Sequence, residues 1–325
     1  MLFSIKLFLL LFSIKKPILL IPGLGASKLL KVKIDIWPPK LPYFLINRDK
    51  WIDTMINDKT LHTLEFGNKK SLDLHTNIPF IVSKNVYDNI IDHPNVYPIP
   101  YDFRLIHNDI YLEDFYNRLK LYIETFQEPI ILLTHSSGGL LAHYFLYKQP
   151  IEWTKKYINH IIHINVPFGG LIYTLDNLVR TSLLDILVSK KVLTSIGAYI
   201  INMPDSNIIK PILIVNGKEI IDYHKYFNLE NLKQKLINKQ MLKSFYHKTN
   251  VDTIILYTSN IKTPSIINIK NNNINIIYGL GDGVVPLSSL LHPITWNQSN
   301  LQIIHIPNYD HSTILFSKEL NNLIC

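Results

Sequence analysis

Short runs of apolar residues, separated by segments of mixed polarity, dominate the hydrophobic pattern of this chain. These runs lie at 17–21, 96–99, 130–134, 158–166, 252–258, 274–279 and 301–306. A short, nearly continuous apolar run is typical of a strand that is buried on both faces of a sheet. We therefore predict a strand at each of these positions.

Helical periodicity separates several of these strands. Apolar residues recur at helical spacing over 110–126 and over 139–147, and a last helix is predicted from about Ser312. Alternation of strand and helix predicts an α/β fold with a mostly parallel, doubly wound sheet. Residues 171–250 interrupt this alternation because they are helical in pattern, most clearly over 178–201. We expect the strands at 252–258 and 274–279 to return to the sheet after this segment.

Two further stretches do not fit the alternation. Residues 36–80 contain prolines, aromatic residues and mixed charge without a clean period, which indicates an insertion into the scaffold. Residues 1–16 are apolar but shorter than the ~20 residues that a membrane-spanning helix needs, and they lack a basic start and a clear cleavage site. An uncleaved anchor, a weak signal sequence and a first strand all remain open for this segment. We predict an apolar N-terminal segment at 1–16 and a single domain over 17–325.

Composition and charge exclude several classes of protein. Of the 325 residues, 47% are hydrophobic and 18% are charged, which is typical of a globular protein. The net charge of +8 is spread along the chain without a dense basic block, so we predict no nucleic-acid partner. Cys325 is the single cysteine, so no intramolecular disulfide can form. Neither composition nor charge indicates the oligomeric state.

Metal binding is not indicated by the histidine spacing. His160 and His163 are three positions apart on a predicted strand, which places them on opposite faces of the sheet. No cysteine or acidic cluster lies beside them, as a metal site would require. We predict neither a metal nor a cofactor.

The sequence THSSGG follows the strand at 130–134 and resembles a turn that exposes a nucleophilic serine. Either Ser136 or Ser137 could attack, because each has a glycine two positions later. Such a turn requires small side chains around the serine, and two positions earlier Ser136 has Thr134 whereas Ser137 has the larger His135. We therefore predict that Ser136 is the nucleophile.

Two backbone amides are candidates for stabilising the oxyanion that forms when a serine attacks a carbonyl. The amide after the nucleophile, here that of Ser137, points to where this negative charge develops. A second donor is expected from the loop after an earlier strand, and Leu24 lies in the Pro-Gly-Leu-Gly turn after the strand at 17–21. The alternative is that this turn is only a glycine-rich connection.

An acid and a base should follow the serine on loops after later strands. Asp282 directly follows the strand at 274–279 in a glycine-rich loop, and this loop lacks the Lys-Ser/Thr ending of a phosphate-binding loop. Three histidines come later, and of these His292 falls within or near a helix and His305 lies in a strand. His311 falls in the loop after the last strand, so we predict Asp282 as the acid and His311 as the base.

Together these motifs resemble those of the lecithin:cholesterol acyltransferase family, in the same order along about 17–320. The matching pieces are LIPG at 20–23 with the family's V-P-G turn, YDFR at 101–104 with Y-D-W-R, HSSGG at 135–139 with H-S-M-G-G, NVPFGG at 165–170 with A-P-W-G-G, GDGVVP at 281–286 with G-D-G-T-V-P, and Asp310-His311 with an E-H pair. Phe103 and Phe168 replace tryptophans of the family. Its secreted and lysosomal members also carry a disulfide-tethered lid, which this chain cannot form.

The resemblance implies an α/β-hydrolase fold with a lid or membrane-binding insertion at about 36–80 and a cap at about 171–250. It implies a serine acyltransferase or phospholipase A in which Ser136 attacks a glycerophospholipid ester and the acyl group passes to a lipid alcohol or to water. The implied partners are the lipid substrate and a phospholipid membrane surface, at which the protein would associate peripherally. Two alternatives remain open: a neutral-lipid or small-ester hydrolase of the same fold, and a non-catalytic lipid-binding protein.

Overall fold

The computed structural model describes residues 16–39, 41–74, 85–180, 194–229 and 239–324. Most of the N-terminal segment predicted at 1–16 lies outside the described residues, as do Cys325 and the middle of the strongly periodic stretch at 178–201. None of the described helices combines the length and the apolarity that a membrane crossing requires.

Strands and helices are numbered in chain order. The strands are β1 (Ile18–Ile21), β2 (Leu29–Lys31), β3 (Ile34–Trp37), β4 (Val96–Pro98), β5 (Ile130–His135), β6 (Ile158–Ile164), β7 (Leu213–Val215), β8 (Lys218–Ile220), β9 (Thr253–Tyr257), β10 (Ile261–Lys270), β11 (Asn273–Gly281) and β12 (Leu301–His305). The helices are α1 (Leu41–Asn57), α2 (Asp88–Ile91), α3 (Asp109–Glu124), α4 (Ser137–Lys148), α5 (Ile151–Tyr157), α6 (Ile172–Val179), α7 (Gly197–Ile201), α8 (Tyr223–Tyr226), α9 (Lys239–Ser244), α10 (Leu287–Leu290) and α11 (Lys318–Ile324). Short 3₁₀ helices lie at Lys69–Ser71, His292–Trp296 and Thr313–Phe316.

The central sheet has six strands in the order β12-β9-β6-β5-β1-β4, and all of its neighbouring strands are parallel. Every residue of β1 and β5 is buried, as the apolar runs predict. The chain passes from β1 to β4 on one side and then to β5 on the other, so the winding direction reverses between β1 and β5. The prediction of a parallel, doubly wound α/β sheet is confirmed, and ligand sites form where such a reversal occurs.

Helix α3 shows how the pattern of apolar residues attaches helices to this sheet. Asn108 caps its first turn, because the side chain accepts a hydrogen bond from the amide of Tyr111 over 3.1 Å. Leu112, Phe115 and Leu119 recur at helical spacing and are buried in the core. The helix predicted over 110–126 is therefore confirmed.

The strand predicted at 274–279 does not return to the central sheet, and this part of the prediction is wrong. Strand β11 pairs antiparallel with β10 in a separate sheet of order β11-β10-β7-β8. The turn between β10 and β11 contains Asn271 and Asn272, both at positive φ, as in a two-residue hairpin turn. The hairpin leaves the central sheet after β9 and returns at its own base, where Ile261 forms a bridge with Asp282.

The insertion predicted at 36–80 contains more regular structure than its sequence indicates. It follows the hairpin β2–β3 and includes the 17-residue helix α1, whose helical geometry is interrupted at Asn47. The Trp51 indole donates a hydrogen bond to the carbonyl of Ile36 over 2.9 Å, and Trp37 stacks on Trp51. These contacts attach α1 to the hairpin.

The segment 171–250 is not helical throughout, and this prediction is corrected. It contains α6 to α9 among its described residues, together with the short strands β7 and β8 that extend the second sheet. The last helix also differs from the prediction, because a 3₁₀ helix at Thr313–Phe316 precedes α11.

Candidate active site

Ser136 lies in a strained turn between β5 and α4. Its backbone has φ 52° and ψ −133°, a conformation that costs energy in a residue with a side chain. This is the geometry of a serine held at a strand-to-helix turn for nucleophilic attack. A Cβ atom at Gly138 would lie 2.3 Å from the carbonyl oxygen of Pro22, so only glycine allows α4 to pass this close to the end of β1.

Thr134 occupies the position at which such turns usually carry a glycine. Its side chain is fully buried, and its hydroxyl oxygen lies 2.8 Å from Nδ1 of His163 on the neighbouring strand β6. The threonine is therefore accommodated by a polar partner in the adjacent strand.

The structure brings Ser136, His311 and Asp282 into one hydrogen-bonded series. Nε2 of His311 lies 2.9 Å from the Ser136 hydroxyl oxygen. Nδ1 of His311 lies 2.7 Å from Oδ2 of Asp282. Ser136 follows β5 and His311 follows β12, while Asp282 is returned to the edge of the central sheet by the β10–β11 hairpin.

The surroundings of Asp282 determine which ring nitrogen of His311 carries the hydrogen. The other carboxylate oxygen of Asp282 accepts hydrogen bonds from the amides of Val284 and Val285, over 2.9 and 2.6 Å. The amide of His311 donates to the Asp282 carbonyl over 2.8 Å, so the two residues are joined through main chain and side chain. Because a carboxylate accepts, Nδ1 of His311 carries the hydrogen and Nε2 presents its lone pair to Ser136.

The other two candidate histidines lie in different surroundings. Nε2 of His305 is 3.0 Å from the hydroxyl oxygen of Ser259. The His292 ring packs against that of Tyr246, with centroids 5.1 Å apart. His311 is the candidate that the structure places against Ser136.

The amides of Leu24 and Ser137, the two predicted oxyanion donors, have no acceptor among the described residues. Ser137 is the first residue of α4, where backbone amides have no partner within the helix. Within the described ranges, neither amide donates to another protein atom. The Gly23 amide, by contrast, donates to the Tyr87 hydroxyl over 2.8 Å. Each of these amides can therefore donate a hydrogen bond to a ligand oxygen.

Side chains that the sequence does not single out surround this site. The Asn165 amide group donates to the His311 carbonyl over 3.3 Å, and its oxygen accepts from the Thr258 amide over 3.0 Å. The Asn202 amide group donates to the Ser137 hydroxyl over 2.6 Å. Asn165 lies in a motif quoted above, whereas nothing in the sequence marks Asn202.

His135 is uncharged at neutral pH. Its pKa is lowered to about 3, chiefly because burial disfavours the protonated ring and further because His311 is close. The rings of His135 and His311 have centroids 5.0 Å apart. A neutral His135 therefore adds no positive charge beside His311.

The described residues contain no group of three or more His, Cys, Asp or Glu side chains arranged to hold a metal ion.

Comparison with known proteins relates the chain to lipid-acting enzymes. The family model described as lecithin:cholesterol acyltransferase matches residues 80–275. Bovine lysosomal phospholipase A and acyltransferase is 24% identical over 369 residues, which cover 93% of this chain and 88% of the bovine protein. The human protein of the same name is 24% identical over 66% of this chain and 58% of its own length. In that second alignment the chain spans less than two thirds of the relative.

One solved structure shares the fold over nearly the whole chain. A chain of the Tle4–Tli4 complex superposes with a TM-score of 0.63 at 11% identity, covering 96% of this chain and 98% of that one. The parallel sheet, the strained serine turn and the chain order Ser, Asp, His are those of α/β-hydrolases. The family model covers 196 of the 325 residues (80 to 275, inclusive), and the chain therefore belongs to the lecithin:cholesterol acyltransferase family.

Proposed function

We propose that this protein is a serine acyltransferase or phospholipase A that cleaves an acyl ester of a glycerophospholipid and passes the acyl group to a lipid alcohol or to water. The observation that carries the proposal is the hydrogen-bonded series of Ser136, His311 and Asp282 in a chain of this family. The name shared by the bovine and human relatives supports the substrate class.

The first half of the reaction forms an acyl-enzyme. Ser136 Oγ attacks the ester carbonyl carbon while Nε2 of His311 removes the serine proton. The carbonyl oxygen becomes an oxyanion that accepts hydrogen bonds from the amides of Leu24 and Ser137. The ester C–O bond then breaks, and His311 returns its proton to the leaving alcohol, which departs as a lysophospholipid. Ser136 is left carrying the acyl group.

The second half repeats these steps with a different nucleophile. A lipid alcohol or a water molecule loses its proton to Nε2 of His311 and attacks the acyl carbonyl carbon. Ser136 Oγ is released and takes the proton back, so the products are a new ester or a free fatty acid. Asp282 remains ionised throughout and stabilises the imidazolium form of His311.

We also infer that the β2–β3 hairpin contacts the membrane surface and makes the protein peripherally associated. Val32 and Ile34 at its tip are 78% and 68% exposed, Ile46 on α1 is 81% exposed, and Lys33 at the tip is exposed as well. Exposed aliphatic residues beside lysines favour an interface with anionic lipid head groups. The hairpin follows β1, whose end forms part of the site, so this contact would bring the lipid close to Ser136.

Active-site labelling tests the nucleophile. A fluorophosphonate probe should modify the wild-type protein and the control Ser299→Ala, which changes an exposed serine, and should leave Ser136→Ala unmodified. Failure to label the wild type would favour the non-catalytic lipid-binding alternative.

Product analysis tests the substrate class. Phosphatidylcholine vesicles containing a sterol should yield lysophospholipid together with free fatty acid or sterol ester, identified by mass spectrometry. Hydrolysis of p-nitrophenyl butyrate with intact vesicle phospholipid would instead indicate a small-ester hydrolase.

Vesicle sedimentation tests the hairpin contact. The double variant Val32→Ser/Ile34→Ser should bind phosphatidylcholine–phosphatidylserine vesicles more weakly than wild type and should keep its activity on p-nitrophenyl butyrate. Leu121→Ser is the matched control, since Leu121 is 65% exposed near the C-terminal end of α3, which leads away from the site. Equal vesicle binding by wild type and the double variant would contradict the assignment.

A further inference from the structure

Tyr87 and His135 connect the loop after β1 to the backbone of His311. The Gly23 amide donates to the Tyr87 hydroxyl oxygen over 2.8 Å, and that oxygen lies 2.7 Å from Nδ1 of His135. Nε2 of His135 lies 2.9 Å from the carbonyl oxygen of His311. Both connecting side chains are buried. Three hydrogen bonds therefore form one continuous series through the protein interior, which we call the hydrogen-bond chain.

The direction of every bond in the hydrogen-bond chain follows from its two ends and from the neutral His135 ring. A backbone amide can only donate, so the Tyr87 oxygen accepts from Gly23. A neutral His135 with its hydrogen on Nε2 has an acceptor at Nδ1, so the Tyr87 hydroxyl donates to Nδ1. A backbone carbonyl can only accept, so Nε2 of His135 carries the hydrogen that is directed to His311. The hydrogen-bond chain is thus satisfied by the neutral His135 tautomer with its hydrogen on Nε2.

One end of the hydrogen-bond chain holds the loop that we define as the oxyanion loop, residues 22–25. Gly23 directly precedes Leu24, whose amide is the proposed oxyanion donor. A Cβ atom at Gly23 would lie 3.0 Å from Cβ of Ser136 and 3.4 Å from the Tyr87 hydroxyl oxygen. The oxyanion loop therefore packs directly on the serine turn and on Tyr87.

The other end of the hydrogen-bond chain holds the main chain of His311. The His311 carbonyl accepts from His135 and from Asn165, while the His311 amide donates to the Asp282 carbonyl. A shift of this segment would move Nε2 of His311 relative to Ser136 Oγ.

We propose that Tyr87 and His135 are positioning residues that hold the oxyanion loop and His311 at a fixed separation across Ser136. Neither side chain needs to touch the substrate, because each acts through the backbone of a reacting residue. The role rests on the proposed function, since it presumes that Ser136 is the nucleophile and that His311 is its base.

The charge of His135 is consistent with this role. His311 becomes positively charged each time it accepts a proton from Ser136 or from the acyl acceptor. The depressed pKa of His135, caused first by burial, keeps its ring neutral at that moment. A second positive ring at a centroid distance of 5.0 Å would oppose proton uptake by His311.

Removal of one hydroxyl group tests the proposal. Tyr87→Phe leaves the Gly23 amide and Nδ1 of His135 without partners, and we expect a fall in kcat of roughly 10- to 100-fold on p-nitrophenyl butyrate. KM for this small soluble ester should change little, because the variant alters no surface that binds it. The control is Tyr116→Phe, which also removes a buried hydroxyl, one that donates to the Leu141 carbonyl over 3.0 Å away from the site. Equal losses of kcat in the two variants would overturn the positioning role.

Two His135 variants separate positioning from general stability. His135→Leu breaks the hydrogen-bond chain, so adding Tyr87→Phe to it should cause no further fall in kcat. His135→Gln offers an oxygen to Tyr87 and an N–H to His311, so it should retain more of the wild-type kcat than His135→Leu. This comparison also decides the matter if Tyr87→Phe does not fold. The proposal would be contradicted if the loss of kcat in the double variant equalled the product of the two single losses. Equal losses of kcat in the leucine and glutamine variants would also contradict it.

Fluorophosphonate labelling keeps this test distinct from that of the proposed function. A wild-type protein that the probe does not label would overturn the nucleophile assignment and the positioning role with it. A labelled wild type combined with equal kcat values for Tyr87→Phe and Tyr116→Phe would overturn the positioning role alone.

Discussion

At the scale of single residues, the two carboxylate oxygens of Asp282 have different partners. One oxygen accepts from the amides of Val284 and Val285, and the other faces Nδ1 of His311. The side chain is fully buried, so water does not supply alternative partners. The local main chain therefore orients the carboxylate before any substrate binds.

Asp282→Asn is expected to lower kcat by about 10⁴-fold, the size of effect seen when the acid of a serine triad becomes an amide. An amide nitrogen facing His311 would favour the tautomer with its hydrogen on Nε2, which cannot remove the Ser136 proton. Initial rates on p-nitrophenyl butyrate measure the change. Asp114→Asn, which alters an exposed carboxylate paired with Arg118, should leave kcat near the wild-type value. A loss below tenfold for Asp282→Asn would argue against the assigned acid.

The site could be predicted from sequence only where chain order and motif spacing carry information. Ser136 and His311 each follow a strand of the parallel sheet, and parallel strands bring their carboxyl ends to one edge. Asp282 also follows a predicted strand, but it reaches this edge through the antiparallel β10–β11 hairpin, which the sequence does not predict. Tyr87 lies outside every quoted motif, and its partners Gly23 and His135 are 64 and 48 positions away. Hydrogen bonds over such separations depend on packing, which a single sequence does not reveal.

At the scale of elements, Arg104 attaches helix α1 to the body of the protein. Its guanidinium group pairs with Asp102 at 2.6 Å, and both side chains are buried. The same group donates to the carbonyls of Met55 and Asp58, each over 3.1 Å, at the end of α1. The Arg104 carbonyl also accepts from the Gly197 amide over 2.8 Å, so one residue contacts both the insertion and the segment 171–250.

Arg104→Lys is expected to loosen α1 while retaining the positive charge beside Asp102. A lysine ammonium cannot reproduce the planar set of donors, so buried carbonyls would lose partners at about 1–3 kcal/mol each. Limited proteolysis should cleave within 41–57 faster than in wild type, and activity on vesicles should fall more than activity on p-nitrophenyl butyrate. The control is Arg118→Lys, in which a half-exposed arginine pairs with Asp114. Unchanged cleavage of 41–57 would contradict this attachment.

The positions of the strands could be predicted because their apolar runs are continuous. The pairing partners of the strands and the irregular elements could not be predicted in this way. The pattern at 274–279 identifies a strand, but an alternation with period two does not state which sheet it joins. Strand β10 carries Pro264 beside a register shift, which obscures it in the sequence. Helix α1 carries the non-helical residue Asn47, which interrupts its period.

At the scale of the whole molecule, buried histidines connect protonation to folding. His143 and His163 are buried with ring centroids 6.1 Å apart. Burial lowers the pKa of His143 to about 4, helped by the nearby His292 and opposed by smaller effects of its bonds to the Ser244 and His247 carbonyls. Burial, with His143 beside it, also lowers the pKa of His163. The His143 ring is therefore neutral in the folded protein at pH 5.

The free energy of unfolding should decrease as the pH falls from 7 to 5. Over this range a histidine in the unfolded chain, with a pKa near 6.5, takes up a proton that the folded protein does not bind. Each such residue therefore makes the free energy of unfolding at pH 5 about 2 kcal/mol lower than it is above pH 6.5. Urea unfolding at the two pH values measures the difference, and His143→Gln should reduce it by about 2 kcal/mol. An unchanged difference in this variant would contradict a neutral, buried His143.

The closed base of the β10–β11 hairpin has a practical consequence for engineering. Ile261 pairs with Gly281 and bridges Asp282, so the carboxylate is located by this pairing and not by the length of the ribbon beyond it. The tip at Asn271 and Asn272 is exposed. An epitope tag or a fluorophore could thus be placed between those two asparagines as a reporter that leaves the acid in register.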